Sequence, residues 1–368
     1  MENSSYSISE NETYEEISEA IEMFQIEMFN RVEFVFDVII VIIATIGIIV
    51  NCSAIFMFVT KKTLQNLFNF LLINLLTFDS VFLLLTVFWS TQLGKHHAHH
   101  TKVLSYFATK LLYPVTCIAL TGSIYMTIVL ALERYISTNH PIAYQRLGSG
   151  SKSYALCYLI YVLPVTVFSV LFNLPVFFEL DVYEKGELYH GTTEWHLNST
   201  IIPTELRLHP YYMTYYRGYG RLFITGILPF VALLFFNIMV FKKMRQVMRF
   251  SEQSNVYKEY QLARVLIVIV LIFLISHIPR LCLNVFEAMH LEVNTSKRYY
   301  LLMSCVLMNN LFLTINSSVN VLIYGSLNEK FRSVMFCRKH NAMNTEYNLE
   351  VTDMATQMME LPPHVQED

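Results

Sequence analysis

The residues of this chain whose types could support chemistry are polar groups set within long apolar stretches. Asp79 is the most demanding of them, because a carboxylate at the centre of a lipid bilayer costs roughly 2.5–3.5 kcal/mol on insertion scales. It must therefore face the interior of a helix bundle and have polar partners there. The side chains that could supply this contact come from several apolar stretches: Asn51, Asn74, Ser123, Asn316, Ser317 and Asn320. We predict that they surround Asp79 in a hydrated polar chamber.

A second group of chemically active residues carries charge. Glu133-Arg134-Tyr135 closes one apolar stretch, and Arg280 lies inside another, one residue after Pro279. An intramembrane guanidinium is costly, so we expect Arg280 to point into a binding cavity rather than into lipid. No arrangement of nucleophile, acid and base typical of catalysis occurs in the sequence. We therefore expect no enzymatic activity.

Seven apolar stretches position these residues. With 54% hydrophobic and 15% charged residues, the chain does not have the composition of an ordinary soluble protein. A bilayer core about 30 Å thick needs roughly 20 helical residues. The stretches of that length are approximately 35–59, 67–91, 105–131, 154–178, 222–241, 262–286 and 299–324. We predict an all-α membrane protein: a seven-transmembrane helix bundle within 34–337, an acidic extracellular tail at 1–33 and a disordered cytoplasmic tail at 338–368.

Two independent patterns predict the same orientation in the membrane. Lys and Arg are in excess on one side, and basic flanks stay in the cytosol because they resist translocation. Glycosylation sequons begin at Asn3, Asn11 and Asn198, all on the opposite side. We expect a plasma-membrane protein with an extracellular N-terminus, a cytoplasmic C-terminus and glycans at these three residues. No cleaved signal peptide is expected, since the first 30 residues do not contain a positively charged segment followed by an apolar one.

Cysteine placement is unusual for a surface protein. All six cysteines lie in the apolar stretches or after the last one, so no pair is available to hold the predicted external loops together. Cys337 follows the seventh stretch and its basic flank, which makes it a candidate for palmitoylation. The alternative for Cys337 is a free cytosolic thiol.

The order of these motifs resembles that of the rhodopsin-like G-protein-coupled receptors. The matching features, in chain order, are Asn74-Leu-Leu-Thr-Phe-Asp79, Glu133-Arg134-Tyr135, Pro141, Pro229, Pro279 and Asn320-Val-Leu-Ile-Tyr324. Ser276-His277-Ile278-Pro279-Arg280 and Asn173-Leu-Pro-Val-Phe-Phe-Glu179 further resemble invertebrate FMRFamide-type neuropeptide receptors. The chain departs from the wider family at Thr109, where most members have a cysteine, at His277, where they have Trp, and at Val321, where they have Pro.

The resemblance implies roles for particular residues. It implies a short cytosolic amphipathic helix that starts at Phe331-Arg332, after the seventh span. It also implies an activation switch and coupling surface formed by Glu133, Arg134, Tyr135, Glu259, His277 and Tyr324. In this switch, Glu133 and Glu259 neutralise Arg134 in the resting state. Finally, it implies a sodium site at Asp79, Ser123, Asn316, Ser317 and Asn320, whose oxygens suit a hard cation. The alternative is a hydrogen-bonded network without an ion, and no other cofactor is expected.

Two residues that other ligand classes require are missing from the sequence, which argues against an amine receptor and against a photopigment. Thr116 stands where amine receptors need a carboxylate, and 299–324 contains no lysine for the Schiff base of a photopigment. The predicted outer surface is acidic, with Glu179 and neighbouring acids in the loop before the fifth span, which favours a cationic ligand such as a peptide that ends in Arg-Phe-amide. Glu205 or Glu287 would pair with its Arg, and Tyr113 would pack against its Phe. Arg280 would donate to its amide carbonyl, or alternatively pair with an acid near the rim of the cavity. The full predicted ligand set is Tyr113, Thr116, Glu205, Arg280, Asn284 and Glu287.

Partners and alternatives complete these expectations. We expect an extracellular peptide, a heterotrimeric G protein, arrestin and kinases on the C-terminal tail, and the lipid bilayer as partners, and no nucleic acid. A receptor for a lipid or another small ligand is the first alternative. A membrane transporter is the second, but it would require broken helices related by an internal repeat, and none is evident in the sequence.

Overall fold

Seven helices long and apolar enough to cross a membrane make up most of the described chain, which confirms the predicted fold class. The computed structural model describes residues 2–61, 64, 66–92, 102–140, 144, 152–188, 195–250, 267–289, 296–327 and 331. The helices are α1 (Glu2–Thr60), α2 (Leu67–Gln92), α3 (Lys102–Asn139), α4 (152–178), α5 (212–250), α6 (267–288) and α7 (Ser296–Leu327).

The core lies between α1, α2, α3 and α7. Leucines at neighbouring turns of α2 bury one face of that helix completely: Leu71, Leu72, Leu75, Leu76 and Leu83. Two glycines permit close approach of the helices. A methyl group at Gly47 of α1 would overlap Ser318 of α7, and one at Gly122 of α3 would overlap Phe78 of α2. The polar residues of these helices are thus held at short range inside the bundle.

The first half of α5 is wound as a π-helix, over Tyr212–Gly220 and Leu222–Ile227. Its Tyr212–Gly220 part was predicted to be loop, because the apolar pattern of the sequence begins only near residue 222, whereas Leu222–Ile227 was predicted within the span. The helix starts earlier because its polar residues are satisfied by the bundle: the Tyr216 hydroxyl donates to the Phe172 carbonyl of α4 at 2.6 Å. Shorter π-helical turns occur at Ala108–Leu112 in α3 and at Tyr158–Val162 in α4. Such turns are often found at functional sites.

The connection between α4 and α5 contains an antiparallel hairpin, which the sequence did not predict. Strand β1 (Leu180–Leu188) pairs with β2 (Trp195–Pro203), with Leu180 opposite Pro203. A single helical turn, Glu205–Leu208, joins the hairpin to α5. We call this end of the bundle the hairpin end and the opposite one the Arg134 end.

Several sequence predictions fall outside what the structure describes. Glu259 and Cys337 lie outside the described residues, as does most of the predicted amphipathic helix, of which only Phe331 is described. Asn3 and Asn11 lie in α1, Asn198 in β2 and Glu287 in α6, but their side chains are not described. The segment predicted as an N-terminal tail, 1–33, is helical from Glu2 and continuous with the first span.

Candidate functional site

Asp79 is fully buried at the centre of the bundle and accepts hydrogen bonds from two other helices. The Ser123 hydroxyl of α3 donates to its Oδ1 at 2.6 Å, and the Asn320 amide of α7 donates to its Oδ2 at 2.8 Å. Asn51 of α1 donates to the Ser317 carbonyl at 3.0 Å and so joins a fourth helix to the same region. The structure therefore brings most of the predicted polar chamber together, with Asn316 also buried on α7. Asn74 instead donates to the Phe70 carbonyl of its own helix.

At the Arg134 end, the Arg134 side chain is buried and held in place on two sides. Its Nε and Nη2 donate hydrogen bonds to the two carboxylate oxygens of Glu133 at 2.7 and 3.1 Å. The guanidinium also lies over the Phe68 ring of α2, 4.2 Å from its centre. Tyr144 donates its hydroxyl to the same Glu133 carboxylate. The charge of Arg134 is therefore paired with Glu133, and its guanidinium contacts the Phe68 ring.

Tyr324 and Tyr135 complete this end of the bundle. The Tyr324 hydroxyl of α7 donates to Asn69 of α2 at 2.8 Å, and its ring meets Phe331 edge-on at 5.3 Å. Tyr135 packs against Phe236 of α5, with 5.6 Å between the ring centres. The structure thus brings Glu133, Arg134, Tyr135 and Tyr324 to one end of the bundle, as predicted for a coupling surface.

The hairpin end contains a buried charged cluster centred on Glu179, which is 0% exposed. The shortest contact is from Arg217 Nη1 of α5 to the carboxylate, at 2.6 Å. The other groups on this carboxylate are the Tyr212 hydroxyl at 2.7 Å, Arg207 at 3.3 Å, the Tyr113 hydroxyl at 3.4 Å and Arg221 at 3.7 Å. Burial by itself would raise the pKa of the Glu179 carboxyl, but Arg217, Arg221, the Tyr212 hydroxyl and Arg207 together hold it below its usual value.

The Glu179 cluster corrects one expectation and reveals residues that the sequence reasoning missed. Glu179 was expected to contribute to an acidic outer surface, which is wrong because its charge is buried and neutralised by arginines. Arg217 and Arg221 were missed because they were placed in a loop. Their spacing of four residues among aromatic neighbours is the signal that could have marked them as one buried helix face.

Ionic contacts tie the hairpin to α3 at the position where a disulfide was noted to be missing. Lys110 Nζ donates to the Leu180 carbonyl at 2.8 Å and lies 3.6 Å from the Asp181 carboxylate. Lys102 pairs with Glu184 at 3.0 Å. Thr109 bonds only backbone carbonyls of its own helix, and the five described cysteines are free. Two lysines therefore connect β1 to α3 without a covalent link.

His277, predicted as part of the activation switch, and the predicted ligand residues Arg280 and Asn284 lie on α6 where it packs against α5. His277 Nδ1 lies 2.9 Å from the Phe273 carbonyl, so this nitrogen carries the proton and Nε2 is left as an acceptor. Within the described part of the chain, His277 Nε2 and Asn284 Nδ2 are buried and have no hydrogen-bond partner. Beside them a cavity of about 30 Å³, roughly the size of one water molecule, is lined in part by Gly226, His277 and Arg280.

The remaining predicted ligand residues are less closely grouped. Thr116 donates to the Leu112 carbonyl of its own helix at 2.7 Å. Tyr113 is close to both Trp89 of α2, at 6.3 Å between ring centres, and Glu179. Glu205 is exposed on the turn that precedes α5. The structure therefore places Tyr113 with the Glu179 cluster and leaves Glu205 at the rim.

Comparison with known proteins agrees with this arrangement of motifs. Residues 50–324 match the family described as "7 transmembrane receptor (rhodopsin family)". The chain is 27% identical to the FMRFamide receptor of Drosophila melanogaster over 83% of the chain, but spans only 54% of that relative. It is 22% identical to the probable G-protein coupled receptor frpr-1 of Caenorhabditis elegans, over 86% of the chain and 82% of the relative. It is 25% identical to the FMRFamide peptide receptor frpr-18 of the same organism, over 84% and 71%.

The resemblance drawn from the sequence motifs is confirmed by these matches. The matched region contains all the residues of the central polar chamber and of the Arg134 end, from Asn51 to Tyr324. It also contains Glu179 and its arginines. The chain therefore belongs to the rhodopsin family of seven-transmembrane receptors, and is a multi-pass membrane receptor rather than an enzyme.

Proposed function

We propose that this receptor lies in the plasma membrane, binds an extracellular neuropeptide with an amidated Arg-Phe end and signals through heterotrimeric G proteins. The observation that carries the signalling part is the engagement of Arg134 by Glu133 and Phe68. Held in this way, Arg134 links α3 to α2 at this end of the bundle. A ligand that favours a conformation in which these contacts break would open a cleft for a G-protein helix.

The orientation follows from charge. Lys242, Lys243 and Arg245 lie on α5 at the end that carries Arg134. Basic residues flanking a span stay in the cytosol, so this end is cytosolic and the hairpin end is extracellular. The sequons at Asn3, Asn11 and Asn198 are then available for glycosylation. Cys337 is on the cytosolic side, where it is available for palmitoylation.

The peptide part of the proposal is supported by the names of two relatives, both FMRFamide receptors. Glu205 at the rim, or Glu287 on α6, pairs with the Arg of the peptide. Tyr113 packs against its Phe, while Arg280 and Asn284 donate to its terminal amide. Thr116 lines the same cavity on α3. Arrestin and kinases act on the C-terminal tail, and Glu259 assists Glu133 in holding Arg134.

The central polar chamber fits a sodium ion in its donor set. Asp79 supplies a buried carboxylate, and Ser123 supplies a hydroxyl in contact with it. The Ser317 hydroxyl is buried on α7 beside them. Oxygen donors of this kind suit a hard cation. Asn316 and Asn320 complete the proposed site, and the ion would hold α2, α3 and α7 in the resting arrangement.

A binding experiment tests the peptide assignment. Labelled Phe-Met-Arg-Phe-amide and its citrulline analogue, in which the Arg is neutral, are compared on wild type, Glu205→Gln and Glu287→Gln. Removing one partner of a desolvated ion pair is costly, so one variant should lose ten-fold or more in affinity for the Arg peptide, roughly 1.4 kcal/mol. The same variant should lose much less for the citrulline analogue. Equal affinity of both variants and wild type for the Arg peptide would show that neither acid recognises the peptide Arg.

A further inference from the structure

Arg221 is a buried arginine whose hydrogen-bonding capacity is only partly used. The residue is 8% exposed and lies on the π-helical half of α5. Within the described residues, its Nε and Nη2 have no hydrogen-bond partner. The nearest carboxylate oxygen, Oε1 of Glu179, is 3.7 Å from Nη2, too far for a hydrogen bond. Leaving such a group without an acceptor in the interior of a protein is expensive.

The charged groups around Arg221 carry an excess of positive charge, so they too favour an anion at this place. Arg207, Arg217 and Arg221 surround one carboxylate, that of Glu179. The neighbouring acids of β1 do not correct the balance, because Asp181 pairs with Lys110 and Glu184 pairs with Lys102. Among the described residues the cluster therefore has two more positive than negative charges. Buried charges are normally paired, so this cluster is complementary to a further negative group.

The free atoms of Arg221 have the geometry of a carboxylate fork. Nε and Nη2 form one edge of the guanidinium, and two parallel hydrogen bonds from such an edge match the two oxygens of a carboxylate. The same chain shows this pairing at Arg134, whose Nε and Nη2 contact both oxygens of Glu133. The Arg221 guanidinium carbon lies over the Tyr216 ring, 5.6 Å from its centre.

The position of Arg221 connects this edge to the proposed peptide site. Arg221 of α5 and Tyr113 of α3 both approach the Glu179 carboxylate, at 3.7 and 3.4 Å, and Tyr113 is the residue proposed to pack against the peptide Phe. A group bound by Arg221 would therefore lie between α3 and α5, deeper in the bundle than Glu205 at the rim. Cationic and anionic parts of a ligand would then be recognised at different depths.

We propose that Arg221 binds an anionic oxygen group, supplied by an acidic side chain of the peptide ligand. The peptide as the source of this group rests on the proposed function, whereas the anion site itself does not. A free carboxylate anion has the same chemistry and is the other source that an experiment must separate. The ligand class is thus an amidated peptide that carries both an Arg and an Asp or Glu.

The first test compares matched peptides. Extended forms of Phe-Met-Arg-Phe-amide that carry Asp or Asn at each position before the Arg are measured by competition binding on cells. At one position the Asp peptide should bind wild type at least ten-fold more tightly than its Asn partner. In Arg221→Gln this preference should fall below about two-fold. The control Arg245→Gln changes an exposed arginine at the opposite end of the same helix, over Phe241, and should keep the preference. Equal binding of Asp and Asn peptides at every position on wild type would overturn the peptide source.

The second test needs no peptide. Purified receptor is heated in sodium acetate and in sodium chloride at equal ionic strength, because chloride cannot accept two parallel hydrogen bonds as a carboxylate does, and the unfolding midpoint is compared between wild type and Arg221→Gln. A higher midpoint in acetate that is lost in the variant shows that the site binds a free carboxylate. If no peptide binds wild type, the proposed function fails, but this acetate effect would still support the anion site. No acetate effect together with no Asp preference would overturn the anion site itself.

Discussion

Replacing Glu179 by Gln tests how much the buried charged cluster stabilises the hairpin end of the receptor. The substitution keeps the shape of the side chain but removes the charge that Arg217 contacts at 2.6 Å and Arg207 at 3.3 Å. Because Glu179 is 0% exposed, water cannot replace it. Breaking a buried ion pair by removing one partner costs about 3–5 kcal/mol. We therefore expect Glu179→Gln to lower the free energy of unfolding by that amount.

The measurement is thermal unfolding of the purified receptor, together with surface expression in cells. At roughly 2–4 °C per kcal/mol, the unfolding midpoint of Glu179→Gln should fall by at least about 6 °C. The matched control is Glu184→Gln in the same strand, because Glu184 is partly exposed and its pair with Lys102 is a surface contact worth roughly 0–1 kcal/mol. Equal midpoints for the two variants would refute the reasoning that the buried arginines depend on Glu179.

The pH dependence of the unfolding midpoint tests the role of Glu179 a second time. The pKa of Glu179 is lower in the folded receptor than its usual value, so its stabilising effect is present above the unfolded pKa of about 4.3. The effect is lost only as the pH falls through the lower folded pKa. The difference in unfolding midpoint between wild type and Glu179→Gln should therefore be constant from about pH 6 to 8 and shrink below about pH 4. A difference that already shrinks between pH 8 and pH 6 would contradict this assignment.

Three further predictions concern the other contacts. Phe68→Leu should raise agonist-independent signalling roughly five-fold at matched surface expression, because it removes a stacking contact on Arg134 worth about 1 kcal/mol; unchanged basal signalling would contradict this. Asp79→Asn should abolish any effect of sodium on agonist affinity, measured by radioligand binding in sodium or N-methylglucamine chloride, and a retained effect would place the ion elsewhere. An impermeant reductant should leave agonist potency unchanged, whereas Lys110→Met should lower agonist potency because it weakens the link to Asp181. A potency that falls with the reductant and is unchanged in Lys110→Met would reveal a disulfide instead.

The helices and the central chamber were predictable from the sequence because their physical requirements are local and strict. A bilayer core demands long apolar helices, and a carboxylate such as Asp79 within one of them demands polar partners. Ser123 and Asn320 could therefore be named as partners before their distances were known. The Arg134 end was predictable for a different reason, since Glu133-Arg134-Tyr135 closes a span and matches a family pattern.

The hairpin end was not predictable, because its stability depends on pairs of charges far apart in the sequence. Arg217 and Arg221 interrupt the apolar pattern, so a prediction based on hydrophobicity begins the fifth helix only at residue 222. Their burial is explained only by Glu179, which lies 38 residues before Arg217. The ties from Lys102 and Lys110 to β1 depend in the same way on a hairpin that the sequence pattern did not indicate. Phe68 as a partner of Arg134 was likewise hidden among other apolar residues of α2.

The central claim is that an amidated Arg-Phe peptide activates this receptor and that Arg134 transmits the signal to a G protein. The most direct measurement is G-protein dissociation in cells that express wild type or Arg134→Ala at equal surface levels, challenged with a panel of amidated peptides. We predict that at least one Arg-Phe-amide peptide dissociates the G protein through wild type and fails to do so through Arg134→Ala, although the labelled peptide binds both. Failure of every amidated peptide to produce a response through surface-expressed wild type would contradict the claim.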